Sequence, residues 1–357
     1  MKWLTRMVPG HMPDGSPIVS VLAKASWSLV HDDHPLPDDP VDWVEADVHW
    51  DTNNPATEPT QFENELVPWK PCTDVIVIGN AWAPRGKQGK YFDAGIQIGA
   101  FRKVVRVFGN RKIVPKTFGF EFSEPELFET MPLHFGKAYG GRFQSSKTQA
   151  EMVYPRNPVG TGFLVDPTLE EIFRTKLPNL ENPAHVLTPD NLVLKSLDQW
   201  PQMPQPWALG YTSRNFHPRV TYAGLPPDIA PGAEIARLQM RAESDGMAGN
   251  TPTPVLNPEF HCGAPEGLKL PHLKGDEEVA LGYLDPDHPI FKFPLPGKRP
   301  MVWMDVGMGR EWMDTVLQSV IITKGNDQLS MIWRGSCRYD GPDSMTQWTK
   351  LAIGAED

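Results

Sequence analysis

The sequence contains little cysteine and no long apolar run. Its three cysteines, Cys72, Cys262 and Cys337, are far apart and form no C-x-x-C pair. That pattern argues against a disulfide framework and against a thiolate zinc site, and it fits a reducing compartment. No stretch approaches the roughly 18 apolar residues of a membrane span. Pro9 and Gly10 interrupt the N-terminal segment before a signal-peptide core can form. We therefore expect a cytoplasmic protein that does not enter a membrane.

An excess of positive charge is also missing. The chain has 44 acidic and 34 basic residues and a formal net charge of −10, so we do not expect binding to nucleic acid or to anionic membranes. The densest basic cluster is interleaved with the strand-like residues of 104–108, and we interpret it as the solvent-facing side of a hairpin. Its members are Arg102, Lys103, Arg106, Arg111, Lys112 and Lys116.

Helical periodicity is scarce, whereas proline is abundant, at 38 of 357 residues, about twice the usual share. Proline ends helices and cannot donate to a sheet ladder, so regular elements should be short. Helices are predicted at 166–177 and 343–354, and 178–216 should be irregular. Alternating or apolar runs predict strands, the first of them half-buried. These lie at 19–29, 74–78, 95–100, 103–108, 218–222, 279–284, 290–294, 301–306, 316–323 and 329–334.

Together these features predict a mainly β protein. We expect antiparallel sheets in a loop-rich, proline-rich, sandwich-like architecture with few short helices. The sequence has no internal repeat and no Gly/Ser linker, so residues 1–357 are expected to form a single large unit with a C-terminal appendage at about 340–357.

The sequence contains one segment that resembles the start of a nucleotide-binding loop. The segment KPCTDVIVIGNAW at 70–82 predicts a buried strand that breaks at Gly79. A phosphate-binding loop needs four residues between its first glycine and a Gly-Lys pair, followed by Ser or Thr. Here six residues separate Gly79 from Gly86, and Gln88 follows Lys87. The turn is therefore interpreted as structural, and no cofactor is expected.

Two strings have the composition of a metal site. HDDH at 31–34, followed by Asp38 and Asp39, and DPDH at 285–288 offer imidazole and carboxylate ligands. Each string directly follows a predicted strand, where an Asp-rich turn is expected on local grounds alone, and we favour the turn. His261 and Cys262 are neighbours that should point to opposite faces of an extended chain, which weakens them as joint ligands.

Signatures of covalent or acid–base catalysis are also missing. The sequence has no G-x-S-x-G and no H-E-x-x-H, and Ser336 has no local partner. The acids in GDEEV at 275–279 are interpreted as the solvated start of a strand. Distant residues can assemble a triad, so a missing motif is weak evidence. We assign no catalytic, cofactor-binding or metal-binding residue and expect a protein that is not an enzyme.

The sequence contains twelve tryptophans, whose large apolar side chains can help to form a hydrophobic core. Those in polar or proline-rich context are either partly exposed anchors for a partner or packing under loops, and we favour packing because tryptophan is usually highly buried. They are Trp43, Trp50, Trp82, Trp200 and Trp207.

Several strings occur in an order that resembles a known family. They are KPCTDVIVIGNAWAP (70–84), VFGNRK (107–112), MPLHFGKAYGG (131–141), NPVGTGF (157–163), LPNLEN (177–182), HPRVTYAG (217–224), HLKGDEEVALGYL (272–284), FKFPLP (291–296) and WRG (333–335). Over about 18–336 the chain resembles the domain of unknown function 2169 (DUF2169) family of proteobacterial type VI secretion clusters. It departs from the family pattern after HPRVTYAG, and 234–258 resembles an insertion or a variant loop.

This resemblance implies a non-catalytic adaptor or chaperone. Such a protein would bind a type VI secretion effector and help load it onto the trimeric valine–glycine-repeat spike or its proline–alanine–alanine–arginine tip. Two alternatives stay open on the residues alone. One is a metal-dependent hydrolase that uses HDDH or dispersed His and Asp, and the other is a carbohydrate or cell-wall binding module that uses exposed Trp and Asn.

Overall fold

The computed structural model describes residues 2–12, 16–51, 53–54, 57–84, 88–222, 257–305, 309–338 and 352–356. Short strands account for most of the regular structure. In chain order they are β1 (Leu4–His11), β2 (Pro17–Ser28), β3 (Leu36–Asp38), β4 (Val48–His49), β5 (Thr60–Phe62), β6 (Thr73–Ile78), β7 (Asn80–Trp82), β8 (Tyr91–Ile98), β9 (Phe101–Phe108), β10 (Ile113–Pro115), β11 (Phe120–Phe122), β12 (Thr130–Pro132), β13 (Tyr139–Gly140), β14 (Arg142–Gln144), β15 (Glu151–Val153), β16 (Thr161–Gly162), β17 (Leu164–Val165), β18 (Leu180–Glu181), β19 (Val193–Leu194), β20 (Lys269–Leu270), β21 (Glu278–Gly282), β22 (Ile290–Pro294), β23 (Met301–Asp305), β24 (Arg310–Met313), β25 (Val316–Thr323), β26 (Gln328–Arg338) and β27 (Ala352–Glu356).

Helical segments are few and short. Within the described parts of the chain, two α-helices, α1 (Leu169–Arg174) and α2 (Arg219–Tyr222), accompany 3-10 turns at Phe135–Lys137, Pro189–Asn191, Leu197–Gln202 and Pro258–His261. No helix among the described residues has the length and apolar content needed to span a membrane. The predicted mainly β, loop-rich class with few short helices is confirmed.

The largest sheet has seven strands, in the order β1-β2-β26-β25-β6-β20, with β3 also paired to β2. All of its pairings are antiparallel except β25 with β6, which run parallel. A five-stranded antiparallel sheet follows the order β18-β9-β8-β21-β22. Buried side chains from both sheets, including Ile76, Ile321, Ile96 and Val279, belong to one hydrophobic cluster, so the two sheets share a core.

Strand β2 is buried on both faces, and the prediction of a half-buried strand is wrong. Val19, Val21 and Ala23 pack on the three-stranded sheet β24-β23-β27, while the polar residues of the other parity are also buried. Lys24 is 1% exposed, and its Nζ lies 2.7 Å from Glu65 Oε2. A buried charge is tolerated when an opposite charge is paired with it. The partner of Lys24 is Glu65, which lies 41 residues away, so the alternation of residues within β2 could not reveal it.

A second, smaller core draws its members from between Ile113 and Met203 and includes Tyr139, Tyr154 and Phe163. Helix α1 packs on it through buried Ile172. A capping box explains where this helix begins, because Thr168 Oγ1 accepts from the Glu171 N–H while Glu171 Oε2 accepts from the Thr168 N–H. The helix predicted at 166–177 is therefore confirmed in a shorter form.

Other local predictions were less accurate. The strand predicted at 218–222 is wrong, because Arg219–Tyr222 form α2. Of the helix predicted at 343–354, residues 343–351 lie outside the described residues, and 352–354 belong to β27, which pairs with β23. The hairpin interpretation of the basic cluster holds for β8 and β9. Lys103, however, is 2% exposed, because its ammonium lies 3.2 Å from the centre of the Trp207 ring and 2.5 Å from the Glu266 carbonyl oxygen.

Candidate functional site

The HDDH string at 31–34 forms the predicted turn, and this turn covers a sheet edge. The Asp32 N–H donates to the Lys292 carbonyl at 2.8 Å, and His31 Nδ1 accepts from the Lys292 N–H at 3.2 Å. Lys292 lies on β22, the last strand of the five-stranded sheet. An open strand edge invites pairing with another chain, so HDDH satisfies backbone groups that would otherwise be free at this edge.

The DPDH string at 285–288 also forms a turn, and the fold brings it against HDDH. Asp285 Oδ1 accepts from the N–H groups of Asp287 and His288, and its Oδ2 lies 2.8 Å from Lys324 Nζ. Burial opposes the charge of Asp285, but these bonds hold its pKa at about 2. The His31 and His288 ring centres are 4.0 Å apart. Two strings that the sequence presents separately thus form one surface cluster.

The other predicted positions have structural roles. Gly79 allows a close approach, because a Cβ placed there would lie 3.0 Å from Lys324 Cβ. Gly86 and Lys87 lie outside the described residues. Glu277 in GDEEV accepts from the N–H groups of Lys274 and Gly275 and so closes a turn before β21. Ser336 Oγ lies 2.7 Å from Ser20 Oγ within the seven-stranded sheet.

A buried ionic cluster that the sequence analysis missed adjoins strand β6 of the seven-stranded sheet. Arg219 is 0% exposed, and its guanidinium binds both carboxylate oxygens of Glu63 and the carbonyls of Thr212 and Phe260. Burial disfavours both charges, but the pairing raises the pKa of Arg219 and lowers that of Glu63. Arg219 belongs to the HPRVTYAG string, so that motif supplies an internal ion pair.

A second pair of charges adjoins the first. Lys70 Nζ lies 2.6 Å from Asp74 Oδ2, which also accepts from the Gly263 N–H at 2.8 Å. The sulfurs of Cys72 and Cys262 are 3.4 Å apart, and this contact, together with burial, raises the pKa of the Cys262 thiol. Among the described residues, the group of three or more potential metal ligands is Cys72, Asp74 and Cys262, whereas HDDH does not form one.

A small cavity lies beside this cluster. Its lining includes Phe135, Arg156, His217, Arg219 and Lys269, and its volume is about 90 Å³. Pockets for organic ligands usually measure roughly 300–1,000 Å³. The cavity therefore has room for a few water molecules but not for a substrate of ordinary size.

The tryptophans considered as anchors mainly pack against the protein. Trp43 is buried, and Trp82, Trp200 and Trp207 are of intermediate exposure. Trp50 is 40% exposed, with its ring 5.1 Å from that of His134.

The strongest exposed apolar feature lies on the second core. Phe118 is 93% exposed, Leu169 66% and Phe173 37%. Phe118 lies at the tip between β10 and β11, and Leu169 and Phe173 lie on α1, which packs against β10. We call these three residues the hairpin–helix surface. The spacing of apolar residues in the sequence did not identify this surface, because Ile172 is the one apolar residue of α1 that is buried. The feature of the sequence that could have indicated it is the phenylalanine in the turn KTFG.

The hairpin tip is held in place. The Lys116 N–H donates to the Gly119 carbonyl at 3.1 Å, and Lys116 Nζ lies 2.6 Å from Glu121 Oε2. At its base, Ile113 belongs to the second core. Phe118 therefore lies in a hydrogen-bonded turn at the tip of a hairpin whose base is buried.

Glycines in the strings that resemble the family allow backbone segments to approach each other closely. Gly140 has φ +144°, and a Cβ there would lie 2.3 Å from the Asn157 carbonyl oxygen. Asn157 Nδ2 in turn donates to the carbonyls of Phe135 and Tyr139 at 2.9 and 3.0 Å. The strings MPLHFGKAYGG and NPVGTGF thus hold two loops in contact. This packing role accounts for the glycines and the asparagine, so no bound ligand is needed to explain them.

Comparison with known protein families identifies a match. The model of a family described as an uncharacterized protein conserved in bacteria (DUF2169) matches residues 14–334. No curated protein and no solved structure matches the chain.

Proposed function

This chain belongs to the bacterial DUF2169 family, and on that premise we propose that it is a non-catalytic adaptor or chaperone. It acts in the cytoplasm, where it binds a type VI secretion effector and helps load that effector onto the spike or its tip. The observation that carries this proposal is the hairpin–helix surface, where an almost fully exposed Phe118 lies at the tip of a hairpin whose base belongs to the second core.

Exposed aromatic side chains of this kind are typical anchors for protein partners. Aromatic residues dominate binding energy when a partner covers them, and covering one phenylalanine side chain contributes about 2 kcal/mol. We place the effector on this surface, with Phe118 as its central anchor. The net charge of −10 favours a basic partner, whose encounter with the adaptor should slow as salt screens the attraction.

Co-expression with the effector encoded beside it tests the proposal. We expect a complex that co-elutes in gel filtration and effector secretion that falls when the adaptor gene is deleted. Phe118→Ser should weaken the complex about 30-fold, which corresponds to about 2 kcal/mol. Leu36→Ser is the matched control, because Leu36 is also exposed, at 59%, but lies on β3 in the seven-stranded sheet.

The possible results separate the role from the surface. Two proteins that migrate independently, with unchanged secretion after deletion, would refute the adaptor role. A complex that Phe118→Ser and Leu36→Ser weaken equally would retain the role and exclude the hairpin–helix surface. Retention of the isolated protein on peptidoglycan would instead favour a cell-wall binding module.

A further inference from the structure

Two sulfurs and one carboxylate oxygen, from Cys72, Cys262 and Asp74, meet at the start of strand β6. The sulfurs are 3.4 Å apart, and Cys72 Sγ lies 3.9 Å from Asp74 Oδ1. All three ligand atoms lie within 4.8 Å of one another. Neither the family description nor the proposed adaptor role assigns a function to these residues.

The two shorter separations, 3.4 and 3.9 Å, are close to those of a tetrahedral zinc site. With Zn–S bonds of about 2.3 Å and a Zn–O bond of about 2.0 Å, tetrahedral geometry places two sulfurs about 3.8 Å apart and a sulfur and an oxygen about 3.5 Å apart. The sulfurs, now 3.4 Å apart, need to separate by about 0.4 Å to hold zinc, but they would have to approach by about 1.4 Å to form a disulfide of about 2.0 Å. The observed arrangement is thus closer to metal coordination than to a disulfide.

The surroundings orient the carboxylate as a ligand. Lys70 Nζ and the Gly263 N–H both bind Asp74 Oδ2, which leaves Oδ1 directed toward Cys72. Outer-shell hydrogen bonds of this kind fix metal-binding carboxylates in place. Asp74 itself is 1% exposed, so its position is set by packing as well as by these bonds.

Charge balance also permits a divalent cation. The cluster already contains two neutralised pairs, Lys70 with Asp74 and Arg219 with Glu63. Zn²⁺ would displace the two thiol protons to solvent and form two Zn–S bonds, so two positive charges leave and two arrive. The net charge of the buried cluster stays the same, which avoids the large cost of burying an uncompensated ion.

We propose that Cys72, Asp74 and Cys262 form a binding site for a thiophilic divalent cation, with Zn²⁺ as the best-fitting ion. Water completes the tetrahedron on the side of Cys72, which is partly exposed. The bound ion ties Cys262, the residue after the turn Pro258–His261, to the start of β6. It therefore stabilises the attachment of this turn to the seven-stranded sheet.

Titration of the reduced full chain with Co²⁺ under anaerobic conditions tests the proposal. We expect one equivalent to bind, with thiolate-to-cobalt charge-transfer absorption and the visible bands of a tetrahedral ion, and Zn²⁺ should displace it. Cys72→Ser should weaken binding more than about 100-fold, because the loss of an outer-shell partner alone already costs about 10- to 100-fold. Cys337→Ser is the matched control, since Cys337 lies on β26, opposite Val19 of β2, and should leave binding unchanged.

Thiol alkylation gives a readout that needs no variant. Zn²⁺ should protect the partly exposed Cys72 from iodoacetamide while leaving the reactivity of Cys337 unchanged, as measured by peptide mass spectrometry. A reduced protein that shows no charge-transfer absorption and no protection would overturn the proposal. Cobalt binding that Cys72→Ser and Cys337→Ser reduce equally would also overturn it. So would an oxidised protein with a Cys72–Cys262 disulfide whose reduced form does not bind the metal.

Discussion

Replacement of Arg219 by methionine tests whether the buried ion pair supports the fold. Arg219 is 0% exposed and Glu63 4% exposed, and Arg219 satisfies both oxygens of that carboxylate. Methionine has a comparable length and is apolar, so Arg219→Met mainly removes the charge and the hydrogen bonds. Glu63 would then stay buried as an unpaired carboxylate beside two carbonyls, of Thr212 and Phe260, that have lost a donor.

The expected cost is large. Breaking a buried pair by removing one partner usually lowers the free energy of unfolding by about 3–5 kcal/mol. The double variant Arg219→Met, Glu63→Leu removes both charges, so its cost should be at least about 2 kcal/mol less than the sum of the two single variants. Lowering the pH from 7 toward 5 should also reduce the penalty of Arg219→Met, because an unpaired buried Glu63 has a raised pKa and becomes neutral by binding a proton.

Urea unfolding followed by tryptophan fluorescence measures these differences. Arg106→Met is the matched control, because Arg106 also binds both oxygens of a carboxylate, that of Asp93, but on the surface. An exposed pair contributes about 1 kcal/mol or less. If Arg219→Met proves no more costly than Arg106→Met, the buried pair does not stabilise this fold.

Three further predictions concern buried groups. Burial lowers the pKa of His134 to about 4 and of His261 to about 3, so the unfolded chain binds more protons below pH 6.5. The free energy of unfolding should therefore fall by about 1 kcal/mol per pH unit for each histidine as the pH is lowered from 6 to 4.5, and His134→Gln should reduce that slope; an unchanged slope would contradict this. Burial lowers the pKa of Lys103 to about 7, so between pH 7.5 and 8.5 the unfolded chain keeps a proton that the folded chain has released, and stability should rise with pH in the wild type relative to Lys103→Met. If urea titrations show that the free energies of unfolding of the wild type and Lys103→Met change with pH in parallel, Lys103 keeps its charge in the folded protein. Gly140→Ala should destabilise by about 1–3 kcal/mol, since its Cβ would lie 2.3 Å from a backbone oxygen; Gly325→Ala, with open space around it, should change the melting temperature little, and equal shifts would contradict the clash.

Local chemistry in the sequence predicted many elements of this fold. The strands at 290–294 and 316–323 occur where apolar runs end at Gly, Pro, Asn or Asp, and α1 begins at a threonine that caps it. Turn chemistry likewise placed HDDH and DPDH after strands. These features depend on neighbours within a few residues, which is the range over which backbone propensities and side-chain alternation act.

Pattern reasoning failed where a distant partner changed the environment of a side chain. Lys24 has the spacing of a solvent-facing residue, but Glu65 allows it to be buried. Residues 218–222 have strand-like composition, but Arg219 turns inward to Glu63 and the segment forms α2. Composition alone contains no information about these partners, because Glu65 is 41 residues from Lys24 and Glu63 is 156 residues from Arg219.

The candidate sites show the same division. The sequence by itself determined a mainly β class, the family and a set of polar strings; the spacing of the cysteines argued against a thiolate zinc site, and that prediction now depends on the cobalt titration. Only the tertiary structure brought Cys72 and Cys262, which are 190 residues apart, into contact, placed His31 beside His288 and left Phe118 exposed. The physical reason is that strand order and loop packing decide such contacts, and both result from burying apolar surface across the whole chain rather than from any local pattern.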